Sequence, residues 1–215
     1  RHVFDVTISG NSAGVAVGSD AVDRLLAPET IYRAHIAHTA DGALKVDDAA
    51  VSNSMLQASL TGSRAKDATN FHGNVSLAAL AAVDPSLSGQ AKLVFGLTGP
   101  DTDLTSKLTL SGDDITVNGK QVLKPLINFD GRGPVSRHAG KFAMTGTISG
   151  ELVNGAAAII VSESGVGNID DLQLEIAGAK LVGGVAFSST ALLSGKIKLD
   201  ARDLGRVGRA DGAER

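Results

Sequence analysis

Ser12 is the residue that would make this chain an enzyme. It lies in "GNSAG", Gly10 to Gly14, a literal match to G-x-S-x-G. In α/β-hydrolases that pattern is the sharp strand-to-helix turn that exposes a nucleophilic serine. That fold needs several strands, and the loop that supplies its oxyanion donors, ahead of the serine. Only 11 residues precede Ser12. Downstream, the regular alternation of strand and helix that a parallel sheet requires is missing. An aliphatic residue or Met, then Ser or Thr, then Gly, also recurs at 8–10, 60–62, 87–89, 97–99, 110–112, 144–146, 148–150 and 193–195. A nucleophile elbow occurs once in a chain. Eight copies predict a structural device instead, a strand end or kink where glycine accepts unusual backbone angles.

The other reactive types give no better constellation. His35 and His38 are three apart in an apparent strand, so they face opposite sides and cannot chelate one ion locally. His72 and His138 have no acid or histidine at ligand spacing. The acid pairs Asp47-Asp48, Asp113-Asp114 and Asp170-Asp171 have the chemistry of calcium ligands, but EF-hand spacing and glycine-rich calcium repeats are absent. All three precede apolar runs, which predicts turn residues. Gly165-Val166-Gly167 lacks the third glycine of a dinucleotide loop. "SRAK" at 63–66 matches S-x-x-K without its companion motifs. The chain has no cysteine, which excludes thiol catalysis, zinc–thiolate sites and disulfides. A net charge of −3 gives no electrostatic footprint for nucleic acid. We expect no enzyme, no cofactor, no metal and no nucleic-acid partner.

The elements around these residues read as strands. "LTSKLTL" puts Leu104, Ser106, Leu108 and Leu110 on one side, and "DLQLEI" does the same with Leu172, Leu174 and Ile176. "SGKIKLD" repeats the pattern with Ile197 and Leu199. Successive side chains of a strand point to opposite faces, so each run has one apolar side. Asp41-Gly42, Asn118-Gly119 and Asn154-Gly155 lie between such runs and predict tight type I′ hairpin turns. Helical spacing is brief: "SDAVDRLLAP", with Ser19 as N-cap, and "SLAALAAVDP" predict two short helices.

A longer repeat is also visible. Residues 47–62 resemble 170–187 and residues 71–83 resemble 193–207, with Gly73 and Gly195 separated by 122 positions. The expected organisation is a single elongated β segment over 1–215 with weakly repeated modules at about 10–97 and 98–207. A polar tail covers 208–215. The longest apolar run free of charge, Leu181 to Gly195, is too short and too rich in Gly and Ser to span a bilayer, which takes roughly 20 residues. The chain opens on Arg1 with no signal peptide before it, and we expect a soluble segment of a longer protein.

Strands with one apolar face need a cover, and few residues remain to build one from helices. Two sheets pack as a sandwich, or one curls and leaves a groove. A groove of this kind suits acyl chains, because each buried methylene contributes about 0.8 kcal/mol without any specific polar contact. The residues expected to floor it are Leu104, Leu108, Leu110, Leu172, Leu174, Ile176, Ile197 and Leu199.

The stretch "VSLAALAAVDPSLSGQAKLVFGLTGPDTDLTSKLTLSGDDITVNGKQV" and the stretch "LLSGKIKLDARDLGRV" resemble the repeats of the TamB family, the translocation and assembly module subunits of the wider AsmA-like group. The shared cadence is glycine, alternating aliphatics, a D-L-x-x-L piece, then L-S-G-x-a-x-L. It matches Gly195 to Val207 with Asp203-Leu204 intact, and Gly73 to Leu97 with "LAAL" in place of "ARDL". The likeness covers about residues 6–207. It implies an all-β, antiparallel-rich sheet curled into a half-pipe trough, the β-taco, with short helical connections. It also implies a periplasmic segment of an inner-membrane-anchored protein in a Gram-negative bacterium. The partners so implied are phospholipid acyl chains in the trough and the outer-membrane barrel TamA, the latter through another part of the full-length chain. The rival expectation is a structural or adhesive repeat of a secreted surface protein.

Overall fold

The computed structural model describes residues 2–65, 67–190 and 192–201. Its strands are β1 (His2–Ser12), β2 (Thr30–Thr39), β3 (Leu44–Ser52), β4 (Leu56–Ala65) and β5 (Ala68–Leu77), then β6 (Leu87–Gly89), β7 (Ala91–Gly99), β8 (Leu104–Ser111), β9 (Asp114–Val117) and β10 (Lys120–Gly133). The series ends with β11 (Arg137–Ile148), β12 (Glu151–Ser162), β13 (Gly167–Ile176), β14 (Ala179–Phe187) and β15 (Leu193–Ala201). One helix, α1 (Asp20–Leu26), joins β1 to β2, and a single 3-10 turn (Leu80–Ala82) follows β5. All 15 strands belong to one open antiparallel sheet whose path follows chain order, except that β6 and β9 pair with each other beside it. Two packed sheets, the sandwich alternative, are not what the described residues form.

The hairpin turns show where the local chemistry acts. Asn118 and Gly119 have φ of 50° and 79°, both positive, as a type I′ turn needs. Ser149-Gly150 (49°, 80°) and Ala177-Gly178 (53°, 80°) make the same turn from less typical residues. The other two expected turns differ. Around Asp41-Gly42 only the glycine has positive φ, and a longer loop is closed by Thr39 N–H donating to Ala43 O at 2.9 Å. Asn154-Gly155 lies inside β12, opposite Thr145 and Met144.

Two of the three acid pairs also sit elsewhere than in turns. Asp47-Asp48 falls where the β3–β4 register shifts between Val46 and Ala49. Asp170-Asp171 falls where the β13–β14 register shifts between Ile169 and Leu172. Each is a β-bulge, one extra residue that bends the strand and restores the phase of its side chains. Only Asp113-Asp114 keeps the expected place, at the start of β9. The expected helix around "SLAALAAVDP" shrinks to the 3-10 turn, because Ser76 and Leu77 remain in β5. The module boundary at 97/98 falls within β7, and the 208–215 tail and Asp203-Leu204 lie outside the described residues.

The recurrent tripeptide resolves into two uses. Gly89, Gly99, Gly112 and Gly150 stand at or just beyond strand ends, whereas Gly10, Gly62, Gly146 and Gly195 lie within strands. Some in-strand glycines elsewhere lie under rings of the neighbouring strand. A Cβ on Gly73 would meet Phe95 Cζ at 2.5 Å, and one on Gly140 would meet Phe129 Cζ at 2.4 Å. The missing side chain lets the ring lie against the neighbouring backbone, a cross-strand device that pins register.

Protein packing over the sheet is local. Leu80 of the 3-10 turn and Ile115 of β9 are buried against Ala91, with Leu77, Leu87 and Leu110 packed around them. Helix α1 buries Leu25 and is tied to the 3-10 turn by Arg24, whose Nε donates to Ala82 O at 2.8 Å and Nη2 to Val83 O at 3.0 Å. Among the described residues no large side chain is fully buried.

Candidate functional site: the aliphatic face of the sheet

Directly opposed residues of paired strands share a face, so register assigns faces across the whole sheet. One row illustrates it. From β8 it runs Leu110, Ile127, Met144, Gly155, Leu174, Leu181, Leu199 to the β15 edge. In the other direction it runs Leu93, Val75, Ala58, Val51, Tyr32, Gly10 to the β1 edge. The row therefore crosses every strand of the main path without a charge. Leu104 and Leu108 share this face with Leu110, and Leu172 and Ile176 share it with Leu174. Ile197 shares it with Leu199. The sequence supplied the in-strand phase of these eight residues; the register brings the three strands into one surface.

The eight are not equivalent. Leu110 packs into the cluster under the 3-10 turn and β9, so the chain itself covers it. Leu104, Leu108, Leu172, Leu174 and Ile176 are half-buried by their neighbours. Ile197 and Leu199, on the edge strand, are 55% and 58% exposed. A shallow, almost wholly apolar hollow of about 410 Å³ lies elsewhere on the face, lined by Ile8, Tyr32, Ala34, Val51, Leu60 and Phe95 among others. It is not visible in the sequence because its residues come from six strands whose individual runs are broken by Ala, His and Ser.

The opposite face is built for water. Arg33 and Asp48 pair at 2.5 Å, Lys45 and Asp47 at 2.6 Å, and His35 Nε2 lies 2.7 Å from Asp5. Lys107–Asp130 and Lys180–Glu175 continue the series. These exposed pairs add little stability each, but they mark which side is hydrated. The Lys45 ammonium holds the Asp47 carboxyl below the usual carboxylate range, and the Arg132 guanidinium does the same for Asp103. A depressed folded-state pKa gives stabilisation that is full above the ordinary carboxylate value and is lost as pH falls through the depressed one. The thermal midpoint is expected to hold from about pH 7 to about pH 5 and to fall below about pH 4. Asp103→Asn should soften that fall by a small amount that shrinks further in salt.

Polar groups on the aliphatic face are few and placed at strand ends. Among the described strand residues of the main path, those on this face that carry a formal charge are Arg64 at the end of β4, Lys120 at the start of β10 and Glu151 at the start of β12. Two histidines join them. His38 stacks on Phe4 with ring centroids 5.4 Å apart, and its Nδ1 is buried without a hydrogen-bond partner. His138 Nε2 lies 2.6 Å from Ser106 Oγ, reaching across Gly131 of the intervening strand, and its Nδ1 lies 3.3 Å from Gly133 O. Ser106 and His138 have the spacing of a nucleophile and its base. The base is oriented by a carbonyl rather than a carboxylate, and interior-strand amides are engaged in the sheet ladder rather than turned toward an oxyanion. The pair reads as two polar groups satisfying each other on an apolar surface.

Ser12 ends β1 opposite Thr30, and α1 begins only at Asp20. The strand–turn–helix elbow is not formed.

No known protein family, characterised protein or solved structure matches this chain. No helix among the described residues is long and apolar enough to cross a membrane. The functional reading therefore rests on the face itself.

Proposed function

We propose that this chain is a lipid-conducting segment of a TamB-like protein, its sheet curled into a half-pipe whose aliphatic face solvates phospholipid acyl chains between the inner and outer membranes of a Gram-negative envelope. The supporting observation is the row that runs from Gly10 to Leu199 without a charge, on a sheet against which the described residues pack no second sheet. Large exposed apolar surfaces mark binding. Open twisted sheets rarely exceed about 10 strands without curling or splitting, and this one has 15. An acyl chain laid on such a floor gains on the order of 10 kcal/mol from methylene burial alone, so no catalytic step and no cofactor is required. Localisation follows from the same reading: the periplasm, within an inner-membrane-anchored chain that engages TamA through another region and contributes to outer-membrane biogenesis.

Photo-crosslinking in cells tests it. A photoreactive residue at Leu108 or Leu174 is expected to trap lipid, whereas one at Lys107 or Gln173, the neighbours on the hydrated face, is not. Equal labelling at the four positions would sink the reading and leave the adhesive-repeat alternative, which requires no lipid.

A further inference from the structure

Asparagine is followed by Gly or Ser at Asn11-Ser12, Asn53-Ser54, Asn118-Gly119 and Asn154-Gly155. The residue after an asparagine decides how closely its own main-chain nitrogen can approach the amide carbon, and small residues obstruct it least. The fold separates these sites. Asn11 Nδ2 donates to Glu29 Oε1 at 2.9 Å, and Asn53 Nδ2 donates to Leu25 O and Thr30 Oγ1, both at 2.8 Å. Asn154 lies inside β12, between Thr145 of β11 and Glu175 of β13, so its main chain is paired on both sides. Asn118 stands at the tip of the β9–β10 hairpin, beyond the last ladder pair, Val117 and Lys120. Asn118 and Gly119 are both exposed, with φ of 50° and 79°. Among the described residues no hydrogen bond engages the Asn118 side-chain amide, and a Cβ on Gly119 would meet no atom within 4 Å.

We propose that Asn118 is a self-modification site, where the Gly119 nitrogen attacks Asn118 Cγ and the turn ages from an amide to a carboxylate. The step balances with water as the co-reactant. An N–Cγ bond forms, the Cγ–Nδ2 bond breaks, and Nδ2 leaves as ammonia with the proton that the Gly119 nitrogen gives up. Water then opens the five-membered imide. Cleavage of the N–Cγ bond leaves an ordinary aspartyl side chain. Cleavage at the main-chain carbonyl leaves an isoaspartyl link, in which the backbone runs through Cβ and Cγ and is one carbon longer. Ring closure needs rotation about the Asn118 Cα–C bond. The hairpin tip permits it, whereas at Asn154 the same rotation breaks ladder bonds to neighbouring strands. The longer link no longer fits a two-residue type I′ turn, whose geometry matches the twist of its strands. The effect falls on the cover of the aliphatic face. Asn118 N–H donates to Ser86 O at 2.9 Å, just before β6, and β9 carries the buried Ile115, which packs with Leu80, Leu87 and Leu110. The modified turn loosens β6 and β9 and uncovers Leu110. This holds whatever molecule the aliphatic face binds.

Ageing of the whole chain in mildly alkaline buffer, followed by peptide mass mapping, tests this. Asn118 is expected to convert about 30-fold faster than Asn154, the ratio given by two ladder hydrogen bonds of typical net strength. The peptides carrying Asn11 and Asn53 are expected to keep their amides while Asn118 converts. In concentrated urea the ladder is gone, and Asn154 should convert as fast as Asn118. Gly119→Ala should slow conversion at Asn118 both in the folded chain and in urea, because the added carbon shields the attacking nitrogen. Amide hydrogen exchange of the aged chain should quicken in β9 and stay unchanged in β12. Asn118→Asp, which installs the carboxylate without lengthening the backbone, should leave β9 exchange as it was. Equal rates for Asn118 and Asn154 in the folded chain would overturn the proposal, as would earlier conversion at Asn11 or Asn53. An intact Asn118 in the folded chain, over the time its urea-treated counterpart converts, would overturn it too. Unaltered β9 exchange after conversion would overturn the uncovering of Leu110.

Discussion

Gly62→Val is expected to destabilise the chain by about 4 kcal/mol, combining left-side backbone strain with overpacking. Gly62 has φ of +147° within β4, a conformation that side chains rarely adopt. A Cβ there would lie 2.1 Å from Asn70 O and 2.6 Å from Phe71 Cα. Both are backbone atoms of β5, so the collision cannot be relieved by turning a rotamer. The β4–β5 ladder must part. The urea midpoint followed by far-UV circular dichroism is the measurement. Gly14→Ala is the control: φ there is +65° with no atom within 4 Å of the added carbon, and the expected cost is only about 1 kcal/mol. Equal losses for the two substitutions would mean that backbone angle, not close approach, governs Gly62.

Asn53→Ala is expected to cost about 3 kcal/mol, from four hydrogen bonds each worth about 1 kcal/mol net. The amide Nδ2 donates to Leu25 O and to Thr30 Oγ1, both at 2.8 Å. The amide oxygen accepts from Met55 N at 2.8 Å and Leu56 N at 2.7 Å. One side chain thereby ties the end of α1, the start of β2 and the β3–β4 connection, and Thr30 is only 2% exposed. Asn53→Asp keeps the acceptor half and loses the donor half, so about half of the loss should return. The same urea titration separates the two variants. Limited proteolysis should show the first cleavages moving to the segment around α1. A loss below about 1 kcal/mol for Asn53→Ala would mean that water replaces the amide.

Much of the strand content was legible because period-two alternation is a local property. Leu104, Leu108 and Leu110 declare their common side within one strand, as do Leu172, Leu174 and Ile176. Their union with Ile197 and Leu199 was not legible, since it depends on every register between β8 and β15, including the one-residue bulge at Asp170-Asp171. A slip of one residue anywhere along that path would have put them on opposite faces. Turn chemistry was legible where it is most selective, at Asn118-Gly119. It misled at Asn154-Gly155, where the glycine serves a neighbouring side chain: a Cβ on Gly155 would meet Met144 Cγ at 2.6 Å. Ser149-Gly150 and Ala177-Gly178 escaped notice because Ser and Ala enter left-handed geometry less readily than Asn. Asn53, Arg64 and His38 are invisible to pattern reading. Their roles come from contacts 23 to 37 residues away in the chain, or from stacking across strands.

The edges at β1 and β15, without a further strand among the described residues, and a main path on which each strand pairs with its neighbours in the row, make this molecule behave like a row of dominoes rather than a ball. Cohesion passes from neighbour to neighbour with no central mass to share it. Unravelling should start at the outermost ribbons and work inward. Amide hydrogen exchange should accordingly be fastest in β1 and β15 and slowest near β10 and β11.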